Sequence, residues 1–192
     1  MYVNLETISA MPKAILRPLT LIVLALMWST GGRSQTTEDR WARARFLLGS
    51  WEGPTEGQSG KGTDQRRYAL ALRDRFIKVH NTSTYPVQER NPKGEVHQDV
   101  GFISYDNARR RLVMRQFHVE GFVNQYVEDV PPLGGDLSFS SESIENIPPG
   151  WHARETYVKH GPDAFEEIFE LAEPGKAFEV YSHAHFKRVG DK

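Results

Sequence analysis

From Gly49 to Val189 the chain is a succession of about ten short strand-like runs joined by turn residues. No stretch between them carries helical periodicity long enough to cross over a sheet. Parallel strands need such a crossover, so the runs pair with their sequence neighbours as an antiparallel meander. Arg73-Asp74, Asn91-Pro92-Lys93-Gly94, Asp106-Asn107, Glu120-Gly121, Pro148-Pro149-Gly150, His160-Gly161-Pro162-Asp163 and Glu173-Pro174-Gly175 punctuate it. A meander this long either leaves two bare edges or closes on itself. The two ends favour closure. The first strand opens on Phe46-Leu47-Leu48-Gly49-Ser50-Trp51-Glu52-Gly53, and the last carries Phe186 and Arg188. In a closed sheet these strands are neighbours, so the Arg188 guanidinium can stack on the Trp51 indole at the barrel floor. The expected fold is therefore all-β, a single antiparallel up-and-down barrel of about ten strands.

A short N-terminal helix over Thr36 to Arg45 is expected to precede it, with Thr36 or Thr37 as cap and Glu38 and Asp39 in the first turn. Trp41, Ala44 and Leu48 fall at helical spacing and suit a lid over the barrel mouth or floor. Gly53 to Gly62 reads as a glycine-rich linker, with Gly57 to Gly62 a flexible lip.

Residues 1–34 read as a targeting segment. A short positive region, Met11-Pro12-Lys13 through Arg17, leads into the apolar run Leu19 to Trp28, and small residues follow from Ser29 to Gly32. That run is too short to span ~30 Å of hydrocarbon and fits a signal-peptide core, with an uncleaved anchor as the alternative. Met11 offers a second possible start. Residues 35–192 then form the barrel domain, periplasmic or secreted in a bacterium, with no membrane span after signal removal. The chain has no cysteine, which removes disulfides, thiolate nucleophiles and cysteine metal sites. With 24 basic and 25 acidic side chains it lacks the basic excess that nucleic-acid binding needs.

Pairing the last strands through their turns sets His152, Arg154, Thr156 and Val158 on one face with Leu171, Phe169, Glu167 and Phe165. Phe178, Val180, Ser182, Ala184, Phe186 and Arg188 extend that face, which reads as a barrel interior with an Arg154–Glu167 ion pair. In the centre, Val100, Phe102, Val113, Arg115, Phe117, Phe122, Asn124 and Tyr126 form the more aromatic face, and Arg115 pairs with Tyr126. The candidate ligand-binding residues are thus Arg115, Tyr126, Arg154, Phe117, Phe169 and Phe178. A guanidinium and a phenol hold an acidic head group while the aromatics bury an apolar tail. The bland reading keeps Arg154–Glu167 structural and Arg115 in solvent.

His183-Ala184-His185 places two imidazoles on one strand face, a metal or haem ligand pattern. The expected pairing turns both outward, beside Glu179 and Lys187. His97 with Asp99, and His118, have no third ligand at recognisable spacing and read as structural or exposed. Glu142, Glu155 and Glu167 offer carboxylates, but no nucleophile elbow, His-Glu-x-x-His or phosphate loop accompanies them. The chain is expected to bind rather than catalyse.

Gly-x-Trp on the first strand, a meander of about ten strands and an Arg in the last strand resemble the calycin group, which holds the lipocalins and fatty-acid-binding proteins. Over residues 45–189 the chain looks most like small bacterial lipocalin-like barrels of unknown function, through stretches such as RQFHVEGFVNQY and SESIENIPPGWHARETY. It is more distantly similar to nitrobindin-type haem barrels, whose pattern is Gly-x-Trp-x-Gly-x-Gly. Here Pro54-Thr55-Glu56 follows Gly53, a departure that weakens transfer of haem binding. The resemblance implies a non-covalent carrier of a small, largely apolar ligand, with no cofactor. Two alternatives stand beside it: a haem barrel with His183 or His185 as axial ligand, and a barrel filled by Phe117, Phe169, Phe178 and Phe186.

Overall fold

A computed structural model describes residues 39–190. The expected signal segment and the start of the expected helix lie outside them. Within them, residues 40–44 form turns and a single 3-10 turn spans Arg45–Leu47. Trp41, Ala44 and Leu47 are buried there, and the Trp41 indole Nε1 donates to the carbonyl of Asp74, in a turn between two strands, at 3.1 Å. No helix among the described residues is long and apolar enough to cross a membrane.

Ten antiparallel strands follow and close into a barrel in sequence order. They are β1 (Gly49–Gly57), β2 (Gly60–Ala71), β3 (Phe76–Tyr85), β4 (Glu95–Asp106), β5 (Arg111–His118), β6 (Val123–Glu128), β7 (Leu137–Glu145), β8 (His152–Lys159), β9 (Ala164–Ala172) and β10 (Glu179–Val189). The seam joins β1 to β10, with Trp51 opposite Arg188 and Thr55 opposite Ala184.

The glycines that read as a linker belong to strands: β1 runs on to Gly57, β2 starts at Gly60, and only Gln58 and Ser59 lie between. Their smallness serves the seam. A Cβ on Gly53 would overlap the His185 carbonyl oxygen, and one on Gly49 would overlap the Arg188 guanidinium. Arg188 instead lies 4.1 Å from the Trp51 ring, and its Nη1 donates to the Leu48 carbonyl at 2.7 Å. Its Nη2 donates to the Pro162 carbonyl at 2.9 Å, and its Nε pairs with Asp163 at 3.0 Å. The Trp51 Nε1 donates to the Leu47 carbonyl at 2.6 Å, so the floor is held from both chain directions.

Above that floor Trp51, Phe165, Phe186, Phe139, Tyr157 and Leu112 fill the lower barrel. Phe165 meets Trp51 edge-on at 4.7 Å and stacks on Phe186 at 4.8 Å. Such contacts add about 0.5–1.5 kcal/mol each beyond area burial.

Two faces differ from the sequence expectation for one physical reason. The β5–β6 and β8–β9 connections are three-residue loops, closed by His118 N–H to the Phe122 carbonyl at 3.1 Å and His160 N–H to the Ala164 carbonyl at 2.9 Å. Even-length turns had been expected at both. Changing the loop by one residue swaps which faces share a side. Tyr126 therefore pairs with Met114, not Arg115, and Arg115 and Phe117 stand on the outer wall. Glu155 and Tyr157 of β8 turn inward in place of Arg154 and Thr156. Arg154 lies outside, bidentate to Glu170 at 2.6 and 2.7 Å, under the Phe178 ring at 4.3 Å. A register shift between Val180 and Ser182 moves Phe178 and Val180 off the interior face, which resumes at Ser182, Ala184 and Phe186.

Candidate functional site

The upper half of the barrel is hollow. A cavity of about 510 Å³ lies above the aromatic floor and opens at the end where β1–β2, β3–β4, β5–β6, β7–β8 and β9–β10 connect. One side of its upper wall is apolar, through Phe122, Ile147, Trp151, Phe169, Leu171 and Tyr181, while Glu95, His97 and Glu120 stand on the other. Its base is polar.

The polar base follows from the inward alternation of successive strands. Along β2, β3 and β4 the inward side chains run from apolar at the floor (Tyr68, Ile77, Ile103) to polar higher up (Arg66 and Asp64, Asn81 and Ser83, Asp99). Register lines them up in a row: Arg66 opposite Asn81, Asn81 opposite Asp99, and Asp99 opposite His118. Gln116, Asn124, Glu155 and Glu167 continue the belt around the wall.

Arg66 is the ionic centre. Its Nη2 lies 2.6 Å from Glu167 Oε1, with both side chains buried. Burial works against the guanidinium charge, but the Glu167 carboxylate beside it more than offsets this. Burial also pushes the Glu155 and Glu167 carboxyls up, and Arg66 opposes it at both. One guanidinium facing two buried carboxyls cannot offset burial at both, so the two titrate together with proton affinity raised. Asp64 is likewise raised by burial, with Arg66, Ser83 and Thr55 opposing.

Nearer the mouth, Asp99 accepts from Asn81 Nδ2 at 2.8 Å and lies 3.6 Å from His97 Nε2. The Asp99 carboxylate close by, opposed by burial and reinforced by Glu120 at 2.8 Å, lifts His97 to about 9. Burial works against the Asp99 charge, but nearby His97, Arg66 and the Asn81 hydrogen bond outweigh it and hold the carboxyl low. His118 stacks on Phe122 at 4.0 Å, 3.3 Å from both His97 Nε2 and Asn124 Nδ2. Burial brings it down to about 4. The mouth thus sets a charged imidazole beside a neutral one.

Several buried polar atoms of this belt have no hydrogen-bond partner among the described residues: Arg66 Nε and Nη1, Gln116 Oε1, Asn124 Oδ1, Asp99 Oδ1 and Glu167 Oε2. A buried unmatched donor or acceptor costs about 1–3 kcal/mol, so a cluster at the base of an open cavity marks a place built to meet hydrogen-bonding groups from outside the chain.

Of the residues picked from sequence, Tyr126 and Phe169 point inward. The Tyr126 hydroxyl accepts from Asn124 Nδ2 at 2.8 Å, and Phe169 lines the cavity against Tyr181 at 5.6 Å. Arg115, Arg154, Phe117 and Phe178 lie on the outer wall and are not brought to the cavity. Arg66, the buried guanidinium of the site, was missed, although Asp64-x-Arg66-x-Tyr68 alternates with the period of an inward face. His97 and His118, read as structural or exposed, stand in the cavity wall. His183 and His185 face outward against Glu166, as the expected pairing had them.

No family model matches the chain, and no curated protein does. Among solved structures it is similar to Rv2717c from M. tuberculosis, at a TM-score of 0.57 and 16% identity, over 79% of this chain and 98% of that one. It is also similar to a redesigned beta barrel at a TM-score of 0.41 and 10% identity, covering 77% of this chain and 96% of that one. At these identities the first likeness carries the barrel fold, and the second carries nothing further.

Proposed function

We propose that this chain is an exported calycin-like barrel that holds a small amphiphilic molecule non-covalently in its upper cavity. The observation that carries this reading is the cluster of buried polar atoms, without partners among the described residues, at the base of a cavity whose upper wall is apolar on one side. A ligand enters polar end first, meets Arg66, Gln116, Asn124 and Asp99, and leaves its apolar part against Phe122, Phe169 and Trp151. A volume of about 510 Å³ lies within the range of small-molecule sites. Export is supported by the Leu19 to Trp28 run.

The charge balance selects the head group. Asp64, Asp99, Glu155 and Glu167 outnumber Arg66 and His97, and Arg66 already serves Glu167. A neutral or cationic, hydrogen-bonding head suits this base better than the acidic head the sequence suggested. Haem does not fit the histidines proposed for it: His183 and His185 face away from the cavity, while His97 and His118 are engaged with Asp99, Glu120 and Asn124.

Native mass spectrometry of the full chain from its own host, followed by denaturing analysis of released molecules, tests the reading. The expected result is one stoichiometric molecule without a carboxylate or phosphate. It is lost in Gln116→Leu/Asn124→Leu and retained in Arg115→Ala. An empty protein that also fails to take up neutral Nile red would refute it, and a released haem would replace it with the cofactor alternative.

A further inference from the structure

Three histidines converge on one carboxylate on the outer wall, away from the cavity. β9 and β10 make this happen: Glu166 and His185 are direct cross-strand partners, and His183 lies two residues along the same face. His183 Nε2 is 3.1 Å from Glu166 Oε2, and His185 Nδ1 is 3.3 Å from Oε1. His160, at the start of the β8–β9 loop, places Nε2 3.0 Å from the same Oε1.

One ligand atom each from Glu166, His183 and His185 lies within 4.8 Å of the other two. In a tetrahedral site with bonds of ~2.0–2.1 Å, neighbouring donor atoms sit roughly 3.3 Å apart. The two histidine-to-Glu166 distances are near that edge length, one to each carboxylate oxygen, so Glu166 can offer either oxygen to an ion held by the imidazoles. The two imidazole rings lie close together, with centres 4.3 Å apart and planes tilted by 40°. Two imidazoles and a carboxylate suit Zn²⁺, Cu²⁺ or Ni²⁺, and not Mg²⁺ or Ca²⁺, which take oxygen ligands.

We propose that Glu166, His183 and His185 form a site for a divalent transition-metal ion of the Zn²⁺ class. Water is the fourth ligand, and His160 orients the carboxylate from its other side. The ion staples β9 to β10, the strand that closes the barrel seam, and adds stability because the unfolded chain lacks the preformed geometry. His97, His118 and Glu120 also bring three donors together at the mouth, but Asp99, 3.6 Å from His97, and Asn124, hydrogen-bonded to His118, compete for the two imidazoles.

The test is titration of the full chain, free of any histidine tag, with Zn²⁺ and with Mg²⁺ by isothermal calorimetry, followed by the visible spectrum of the Co²⁺-loaded protein. The expected result is one Zn²⁺ per chain, no competition from Mg²⁺ and an intense tetrahedral Co²⁺ band. His183→Gln and His185→Gln each weaken binding at least about tenfold, and His160→Gln weakens it less than either. All three are solvent-facing, so the variants fold. Absence of stoichiometric binding, or affinity untouched by His185→Gln, would overturn the site. Zinc binding that survives in His185→Gln and disappears in His97→Gln would place the ion at the mouth and overturn it equally.

Discussion

Replacing His97 with Gln should change how stability depends on pH in one window. In the folded chain Asp99, opposed by burial and aided by Glu120, raises this imidazole from its ordinary 6.5 to about 9. The folded state therefore holds the proton more tightly than the unfolded one. The stabilisation is fully present below pH 6.5 and is lost as pH rises through about 9. A rise of that size is ~3.4 kcal/mol at 1.36 kcal/mol per pKa unit. His97 sits at the wet mouth with its side chain 22% exposed, and solvent screening reduces this to roughly 1.5–2 kcal/mol. Urea unfolding of the wild type and His97→Gln from about pH 6 to about pH 9.5 reads the difference. The wild type should lead by that amount at the acid end and converge with the variant at the alkaline end. A gap that stays constant across the range would show that His97 carries no shifted proton, and the charged mouth would fall with it. His118, lowered to about 4 by burial, acts in the opposite window: its contribution is present above pH 6.5 and is lost as pH falls through about 4.

Two further outcomes test the interior and the seam. Arg66→Met strands two buried carboxyls and should cost about 3–5 kcal/mol by chemical denaturation, whereas Arg66→Met/Glu167→Leu should regain most of it. A single-variant cost below ~1 kcal/mol would mean that Arg66 does not hold the base together. Gly53→Ala pushes a methyl group into the His185 carbonyl and should open β1 from β10, read as lost hydrogen-exchange protection along the seam. Gly190→Ala, with nothing within 4 Å of the added carbon, should stay within about 0.5 kcal/mol of wild type.

Much of the architecture was legible because strand period and turn residues are local signals. The strand count, the meander and the inward face of β9, with Phe165, Glu167 and Phe169, all follow from alternation and punctuation. The Trp51–Arg188 stack follows from closure alone. The site was less legible, because facing depends on whether a loop has an even or odd number of residues, which composition does not encode. The three-residue loops Val119 to Gly121 and Gly161 to Asp163 sent Arg115 and Arg154 outward and brought Glu155 in. Each contains a glycine at positive φ, Gly121 at 91° and Gly161 at 98°, yet a glycine suits loops of either parity. Glu167 was correctly turned inward, but its partner comes from β2 across the barrel, a pairing no neighbouring-strand register can reveal.

The seam carries a consequence for synthesis. β1 is the first strand made and bonds on one side to β2, but its other partner, β10, is made last. The hydrogen bond from Arg188 to Leu48 spans 140 residues. Until β10 emerges, the growing sheet shows two unpaired edges, one of them the glycine-bearing β1, and Trp51 has no cation over its ring. Non-local closure of this kind is slow, and exposed edges recruit other chains. The partly made barrel is therefore the species most exposed to aggregation, and a holding chaperone would act on that curved but still open sheet.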